Sequence, residues 1–163
     1  MITKDRHWRQ PFRLLRGSVL GCSYDHPDRE RRLSTDEPGD LALVLFDLER
    51  PDFRIWPGSQ ARSCLRLYWP TLEEPPDLDL FANYLGELYR AVARGAVVEV
   101  FCFGGHGRTG TVLASLATFD GTTPAAAIAR VRTEYCGRAI STPGLERTVE
   151  AAAFAGKANG GVQ

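Results

Sequence analysis

Residues 97–114 read VVEVFCFGGHGRTGTVLA, a stretch in which a predicted strand is followed by a glycine-rich turn and a predicted helix. Its first five residues form a short apolar run rich in valine, which is typical of a buried strand, and the part from Thr109 onward is typical of a helix. Several glycines join the two. A strand that enters a helix through such a turn points backbone N–H groups into one concavity, with the positive end of the helix dipole behind them. The stretch therefore predicts an anion-binding site.

The turn between the predicted strand and the predicted helix also carries reactive side chains. Five residues separate Cys102 from Arg108, so a thiol and a guanidinium can face the same bound oxyanion. The N–H groups and the dipole favour the thiolate, which makes Cys102 a candidate nucleophile, and Arg108 offers a planar fork that matches two phosphate oxygens. Thr109 can donate its hydroxyl to the sulfur when the sulfur leaves. We predict that phosphate is bound by the loop residues Phe103, Gly104, Gly105, His106, Gly107 and Arg108.

This loop resembles the signature of the cysteine-dependent protein tyrosine phosphatases, in which a cysteine, five residues and an arginine are followed by serine or threonine. The ending Gly105–Gly110 is most similar to the dual-specificity branch. The resemblance implies a phosphomonoester hydrolase that acts on phosphotyrosine, and on phosphoserine and phosphothreonine in that branch, through a phosphocysteine intermediate. It implies no cofactor and no metal. The expected partner is a phosphorylated protein or a small phosphomonoester.

The chain departs from the family pattern at the general acid. In the family a Trp-Pro-Asp loop before the cysteine carries the acid, and here Trp69 and Pro70 match but Thr71 replaces the aspartate. Threonine does not supply a proton at neutral pH, and the loss of general-acid help typically costs a factor of about 10² to 10⁴. Our candidate acid is Glu73, with Glu74 behind it.

Two further departures leave other functions open. Phe101 occupies the place of the histidine that usually precedes the cysteine, and Leu145 occupies that of a glutamine in related bacterial phosphatases. One alternative is therefore a pseudophosphatase, which binds phosphorylated partners without efficient turnover. A rhodanese-like sulfurtransferase also uses a cysteine loop between a strand and a helix, but it does not need the Arg-Thr-Gly ending. A nucleotide-binding P-loop is excluded because no lysine follows the last glycines.

Composition limits the remaining possibilities. With 163 residues, 44% of them hydrophobic, the chain can bury the core of one globular domain, and its formal net charge of zero indicates no general attraction to nucleic acid. No apolar run is long enough to span a membrane. Four widely spaced cysteines fit a reducing cytoplasm, and Cys22 with His26 lacks the second ligand pair of a zinc site. Nothing in the sequence indicates an oligomeric state.

The predicted fold class is α/β, with a central, mainly parallel sheet of four to five strands flanked by helices, as in tyrosine phosphatases. We expect one phosphatase-like domain over residues 1–155 and a flexible tail over residues 156–163. Strands are predicted within residues 14–20, 41–46, 64–69 and 97–101, and helices over 78–94, 109–119, 124–135 and 143–154. In the loop, we expect the side chain of His106 to face solvent and Phe103 to form one wall of the pocket.

Overall fold

The computed structural model describes residues 6–29, 31–32, 36–47 and 61–158. Its centre is one five-stranded sheet with the spatial order β1-β2-β5-β3-β4. The strands are β1 (Gln10–Leu14), β2 (Gly17–Ser23), β3 (Leu41–Phe46), β4 (Ser63–Tyr68) and β5 (Val98–Cys102). Only the pairing of β1 with β2 is antiparallel among the strand pairs of the described residues. The predicted mainly parallel sheet is confirmed.

The four long helices of the described residues are α1 (Leu78–Ala93), α2 (Gly107–Phe119), α3 (Pro124–Glu134) and α4 (Pro143–Ala158). Helix α1 begins where the Asp77 carboxylate accepts a hydrogen bond from the N–H of Leu80, and it ends before Gly95, whose φ is +84°. Thr123 caps α3 in the same way, directly before Pro124. The predicted starts of both helices are therefore confirmed. Among the described residues, no helix has both the length and the apolar character needed to cross a membrane.

The central strand β5 places the predicted site. All five of its residues are buried, because β2 and β3 pair with it in parallel on either side. Cys102, the last residue of β5, lies opposite Ser23, the last residue of β2. The carboxyl ends of parallel strands meet at one edge of a sheet, which is where such folds place ligands. Asp47, which directly follows β3, reaches the same edge.

The amino-terminal part of the sheet differs from the prediction. The strand predicted within residues 14–20 is present as the first part of β2, but β2 continues to Ser23 and pairs with β1, which was not predicted; the two form a hairpin that turns at residues 15–16. Phe12 and Leu14 face the core from β1 with Arg13 between them, but two inward apolar residues are too few to indicate a strand, and Pro11 argues against one. Proline is tolerated here because β1 is an edge strand.

The carboxyl-terminal helix also extends beyond the expected boundary. Helix α4 continues to Ala158, so the first three residues of the predicted tail are helical, while residues 159–163 lie outside the described part of the chain. The reason lies in packing against α2. The ring of Phe119 sits where a Cβ atom on Gly156 would come within 3.1 Å of it, so the two helices are in contact at this point.

Candidate active site

The loop between β5 and α2 wraps around the sulfur of Cys102. Sγ accepts a hydrogen bond from the N–H of Gly105 at 3.1 Å, and the residue is 2% exposed. Gly105 has a φ of +73°, and a Cβ atom on it would lie 2.3 Å from Oγ of Ser23. Only glycine meets both conditions without strain. The predicted glycine-rich turn therefore aims a backbone donor at the candidate nucleophile.

Two buried hydroxyl groups hold the loop by its carbonyl groups. Ser23 Oγ donates to the carbonyl of Gly104 at 2.8 Å, and Tyr135 donates to the carbonyl of Gly105 at 2.7 Å. Burial, and then the neighbouring cysteines, raises the pKa of Tyr135 well above its usual value, so its hydroxyl remains a donor at neutral pH. Because these carbonyl groups are turned back into the protein, the loop can present N–H groups to an anion.

The guanidinium of Arg108 is anchored at one end. Nη1 donates to the carbonyl of Trp69 at 2.6 Å and lies 3.8 Å from Oδ2 of Asp47, which is itself buried. Nε of Arg108 is buried and has no hydrogen-bond partner among the described residues. A buried donor of this kind is costly unless a ligand satisfies it, so the arrangement is suited to an anion. Sequence reasoning missed Asp47, although an acidic residue at the end of a buried parallel strand was a usable signal.

The Trp69-Pro70 segment has a structural part in this anchoring. The Trp69 side chain is fully buried, its Nε1 donates to the carbonyl of Glu73 at 2.8 Å, and its own carbonyl holds Arg108. The hydroxyl of Thr71, at the position of the family's aspartate, accepts a hydrogen bond from the N–H of Glu73 at 3.3 Å. The indole therefore fixes the backbone of the loop that carries the candidate acid.

The two candidate acids lie against helix α4. The Glu73 carboxylate is 3.5 Å from Nη2 of Arg147 and its side chain is 61% exposed, while Glu74 binds Nε of Arg147 at 2.8 Å. The hydrogen bond from Arg147 lowers the pKa of Glu74 below its usual value. Leu72, which directly precedes Glu73, lines the same cavity as Cys102. Glu73 is thus next to a lining residue, with its carboxylate turned to Arg147.

The structure brings most of the predicted loop residues to one cavity of about 390 Å³. It is lined by Leu72, Cys102, Gly104, His106, Gly107, Arg108, Arg138 and Ser141. Phe103 lies outside this lining and packs beside Tyr24, with ring centroids 6.0 Å apart. Sequence reasoning did not select Arg138, which adds a second cation, or Ser141, because both come from segments far along the chain.

Two other loop residues are more buried than their positions suggest. The expectation that His106 faces solvent is wrong: it is 9% exposed, and its Nδ1 lies 3.2 Å from Nε2 of His7 and 3.3 Å from Sγ of Cys136. The amino-terminal segment and the end of α3 cover it. Thr109 is fully buried, and its Oγ1 has no hydrogen-bond partner among the described residues.

Comparison with curated proteins finds relatives of part of the chain. No protein-family model matches the sequence. Two uncharacterized proteins of Methanocaldococcus jannaschii are similar to it. The first is 42% identical over 80 residues, which are 49% of this chain and 49% of that protein. The second is 41% identical over 80 residues, which are 49% of this chain and 45% of that protein. The matched region is therefore about half the length of each of these relatives.

Solved structures match nearly the whole chain. The active form of Tk-PTP superposes with a TM-score of 0.69 at 20% identity, over 90% of this chain and 98% of that one. PTPMT1 in complex with PI(5)P gives 0.69 at 18% identity, over 92% and 98% of the two chains. Human DUSP28 gives 0.63 at 20% identity, over 86% and 94%. The chain therefore has the fold of the cysteine-dependent tyrosine and dual-specificity phosphatases, and the resemblance predicted from the sequence is confirmed for the fold.

Proposed function

We propose that this chain hydrolyses phosphomonoesters with Cys102 as its nucleophile. The observation that carries the proposal is that Cys102 and the anchored guanidinium of Arg108 line one cavity at the amino terminus of α2, with the N–H of Gly105 on the sulfur. Sγ attacks phosphorus and forms an S–P bond while the P–O bond to the leaving group breaks. Water then attacks phosphorus, the S–P bond breaks, and thiolate and inorganic phosphate are released.

Arg108 stabilises the charge on the equatorial phosphate oxygens in both steps. The carbonyl of Trp69 and the carboxylate of Asp47 hold one end of its guanidinium, which leaves Nε to the ligand. A preformed donor in a water-poor site lowers the barrier because it needs no reorganisation during the reaction, and the loss of one such donor typically costs a factor of about 10² to 10³ in rate. In the second step, the Thr109 hydroxyl donates to the departing sulfur.

Glu73 is our proposed general acid for the leaving oxygen. Its carboxylate must turn away from Arg147, and this costs little, because both side chains are more than half exposed and an exposed ion pair is worth only about 0 to 1 kcal/mol. The backbone of the segment stays in place, since Trp69 binds the Glu73 carbonyl and the hydroxyl of Thr142 binds the carbonyl of Leu72. Only the side chain moves in this proposal.

The substrates we propose are phosphotyrosine in proteins and, as in the dual-specificity branch, phosphoserine and phosphothreonine. Leu72 and Arg138 support this choice, since one lining residue offers an apolar contact for a side chain and the other a second positive charge for an acidic peptide. The neighbour PTPMT1 has been crystallised with PI(5)P. Small phosphomonoesters are therefore included among the test substrates.

The test compares an activated aryl phosphate with a phosphotyrosine peptide. We expect Cys102→Ser to abolish turnover of both substrates, and Arg108→Ala to lower both rates by about 10²- to 10³-fold. Glu73→Gln is expected to lower only peptide turnover, because an activated leaving group needs little protonation. The matched controls are Cys64→Ser, at an exposed cysteine, and Glu146→Gln, at an exposed glutamate of α4; neither should change the rates.

One further variant separates the acid from the rest of the site. Arg147→Met removes the partner of Glu73 without touching the cavity lining, so peptide turnover should be kept or increased if Glu73 is the acid. Equal effects of Glu73→Gln on both substrates would reject Glu73 as the acid. Tight binding of phosphate or tungstate without turnover of either substrate would reject the hydrolase and leave the pseudophosphatase.

A further inference from the structure

A second cluster of reactive side chains lies behind the loop. It consists of His7, His106 and Cys136, all buried, with 8%, 9% and 8% exposure respectively. One candidate ligand atom from each lies within 4.8 Å of the other two. Among the described residues, no other group of three or more histidine, cysteine, aspartate or glutamate side chains comes this close. We propose that this cluster binds one Zn²⁺ ion.

Two distances within the cluster are close to those of a zinc site. His106 Nδ1 lies 3.2 Å from His7 Nε2 and 3.3 Å from Cys136 Sγ. In a tetrahedral zinc site with Zn–N bonds of about 2.0 to 2.1 Å and a Zn–S bond of about 2.3 Å, neighbouring ligand atoms are about 3.3 to 3.6 Å apart. These two pairs therefore need to separate by only a few tenths of an ångström to receive the metal, and the third pair of candidate ligand atoms lies within 4.8 Å.

A neighbouring amide orients His7 as a ligand. Gln10 Nε2 donates to the carbonyl of Tyr135 at 2.7 Å, which fixes the amide and leaves Gln10 Oε1 to accept from Nδ1 of His7. With its proton on Nδ1, the neutral imidazole has a lone pair on Nε2, which faces His106. Histidine ligands of metals commonly donate their second N–H to an oxygen acceptor in this way.

His106 Nδ1 links the other two candidate ligand atoms. It lies within hydrogen-bonding distance of both Nε2 of His7 and Sγ of Cys136. A cation at the centre of the cluster would bind all three atoms at once. The sulfur of Cys136 is also 3.4 Å from the N–H of Arg138, a donor that stabilises a metal-bound thiolate.

The donor set selects the metal and limits its part in the chemistry. Imidazole nitrogen and thiolate together suit Zn²⁺, whereas Mg²⁺ and Ca²⁺ prefer oxygen ligands. Binding converts the Cys136 thiol to thiolate and releases one proton to solvent, and a water molecule supplies the fourth ligand. The proposal uses neither Cys102 nor Arg108, so it stands or falls independently of the hydrolase.

The ion would join three parts of the chain that are far apart in sequence. His7 precedes β1, His106 belongs to the loop between β5 and α2, and Cys136 follows α3. A ligand that binds only the folded protein stabilises it, so zinc should raise the melting temperature and hold the loop from behind. The widely separated positions also explain why the sequence predicts no metal: the three residues form no recognisable spacing.

The test uses Co²⁺ as a spectroscopic probe on the full chain freed of metal by a chelator. One equivalent of Co²⁺ should give the visible and thiolate charge-transfer absorption of a tetrahedral site, and Zn²⁺ should displace it. We expect Cys136→Ser and His7→Gln to abolish the absorption, while Cys102→Ser and Cys64→Ser keep it. Circular dichroism of each metal-free variant establishes that it is folded.

A third variant keeps all three ligands and tests the orientation of His7. Gln10→Ala removes the acceptor of its Nδ1 proton, and the loss of such a partner typically weakens metal binding by about 10- to 100-fold. The proposal is overturned if Co²⁺ gives no thiolate absorption, if the absorption survives Cys136→Ser, or if Cys102→Ser abolishes it, since the last result would assign the metal to the nucleophile.

Discussion

Substitution of Gly105 by alanine tests whether close packing of the loop between β5 and α2 against Ser23 is needed for stability and for the geometry of the site. Gly105 has a φ of +73°, where an L-residue costs about 1 to 2 kcal/mol. The new Cβ would also lie 2.3 Å from Oγ of Ser23 and 3.1 Å from the backbone of Ser23. Real Cβ atoms do not approach an atom at the first distance, so the serine side chain must rotate.

That rotation has a definite cost. Oγ of Ser23 accepts from the N–H of His7 and donates to the carbonyl of Gly104, both at 2.8 Å, and each such bond is worth about 0.5 to 1.5 kcal/mol. Loss of both adds about 1 to 3 kcal/mol to the conformational cost. We expect Gly105→Ala to lower the free energy of unfolding by about 2 to 5 kcal/mol.

Gly95 provides the matched control. Its φ is +84°, and nothing lies within 4 Å of the position of a Cβ atom, so Gly95→Ala should show the conformational cost alone, about 1 to 2 kcal/mol. Urea unfolding of both variants measures the difference, and hydrolysis of an aryl phosphate reports on the loop. Equal losses of stability in the two variants would refute the packing argument. Unchanged hydrolysis by Gly105→Ala would refute the claim that this glycine positions the donor to the sulfur.

Three further variants probe buried polar groups, two at the site and one elsewhere in the sheet. Asp47→Asn should lower the free energy of unfolding by about 1 to 3 kcal/mol, yet bind inorganic phosphate more tightly, because Arg108 loses a competing negative charge; weaker phosphate binding by calorimetry would contradict this. Tyr135→Phe should lower the free energy of unfolding in urea by about 1 to 3 kcal/mol, since it leaves the carbonyl of Gly105 without its donor. An unchanged stability would show that this hydrogen bond does not stabilise the loop. Burial already raises the pKa of Glu99 although Arg9 binds it at 2.6 Å, so Arg9→Met should raise that pKa further. The folded variant then favours protonated Glu99. The loss in free energy of unfolding, about 3 to 5 kcal/mol at pH 8, should therefore shrink as the pH falls towards 5. An equal loss at both pH values would show that Arg9 does not stabilise ionised Glu99.

Local sequence patterns predicted much of the fold. The apolar runs of β3 and β5, and the cap and stop signals of α1 and α3, act within a few residues, so they are visible without the tertiary structure. The hairpin β1–β2 was missed because Pro11 disfavours a strand, and the two inward residues Phe12 and Leu14 are too few to indicate β1 without the sheet that buries them. A short edge strand takes much of its stability from its neighbour and little from its own residues.

Only part of the candidate site could likewise be predicted from the sequence. Cys102 and Arg108 belong to one short loop whose glycines and following helix dictate its shape, so their meeting at one cavity could be predicted. Asp47 and Cys136 reach the loop only because strands and helices from distant segments converge there. The burial of His106 followed from those long-range contacts, which no local pattern encodes.

The combination of a rigid loop and an exposed acid determines how such a site would select among phosphate esters. Helix α2 is buried from Arg108 to Ala117, so the groups proposed to bind the anion are held in place before the substrate arrives. The proposed acid, Glu73, has no such support, because its side chain is largely exposed and paired with Arg147. Protonation of the leaving group is thus the weaker part of catalysis, and the rate should depend strongly on how well the leaving group carries negative charge.

The phenol of tyrosine, with a pKa of about 10, leaves as an anion far more readily than the alcohol of serine or threonine. Phosphotyrosine should therefore be hydrolysed much faster than phosphoserine in the same peptide, and equal rates would show that an effective acid serves both.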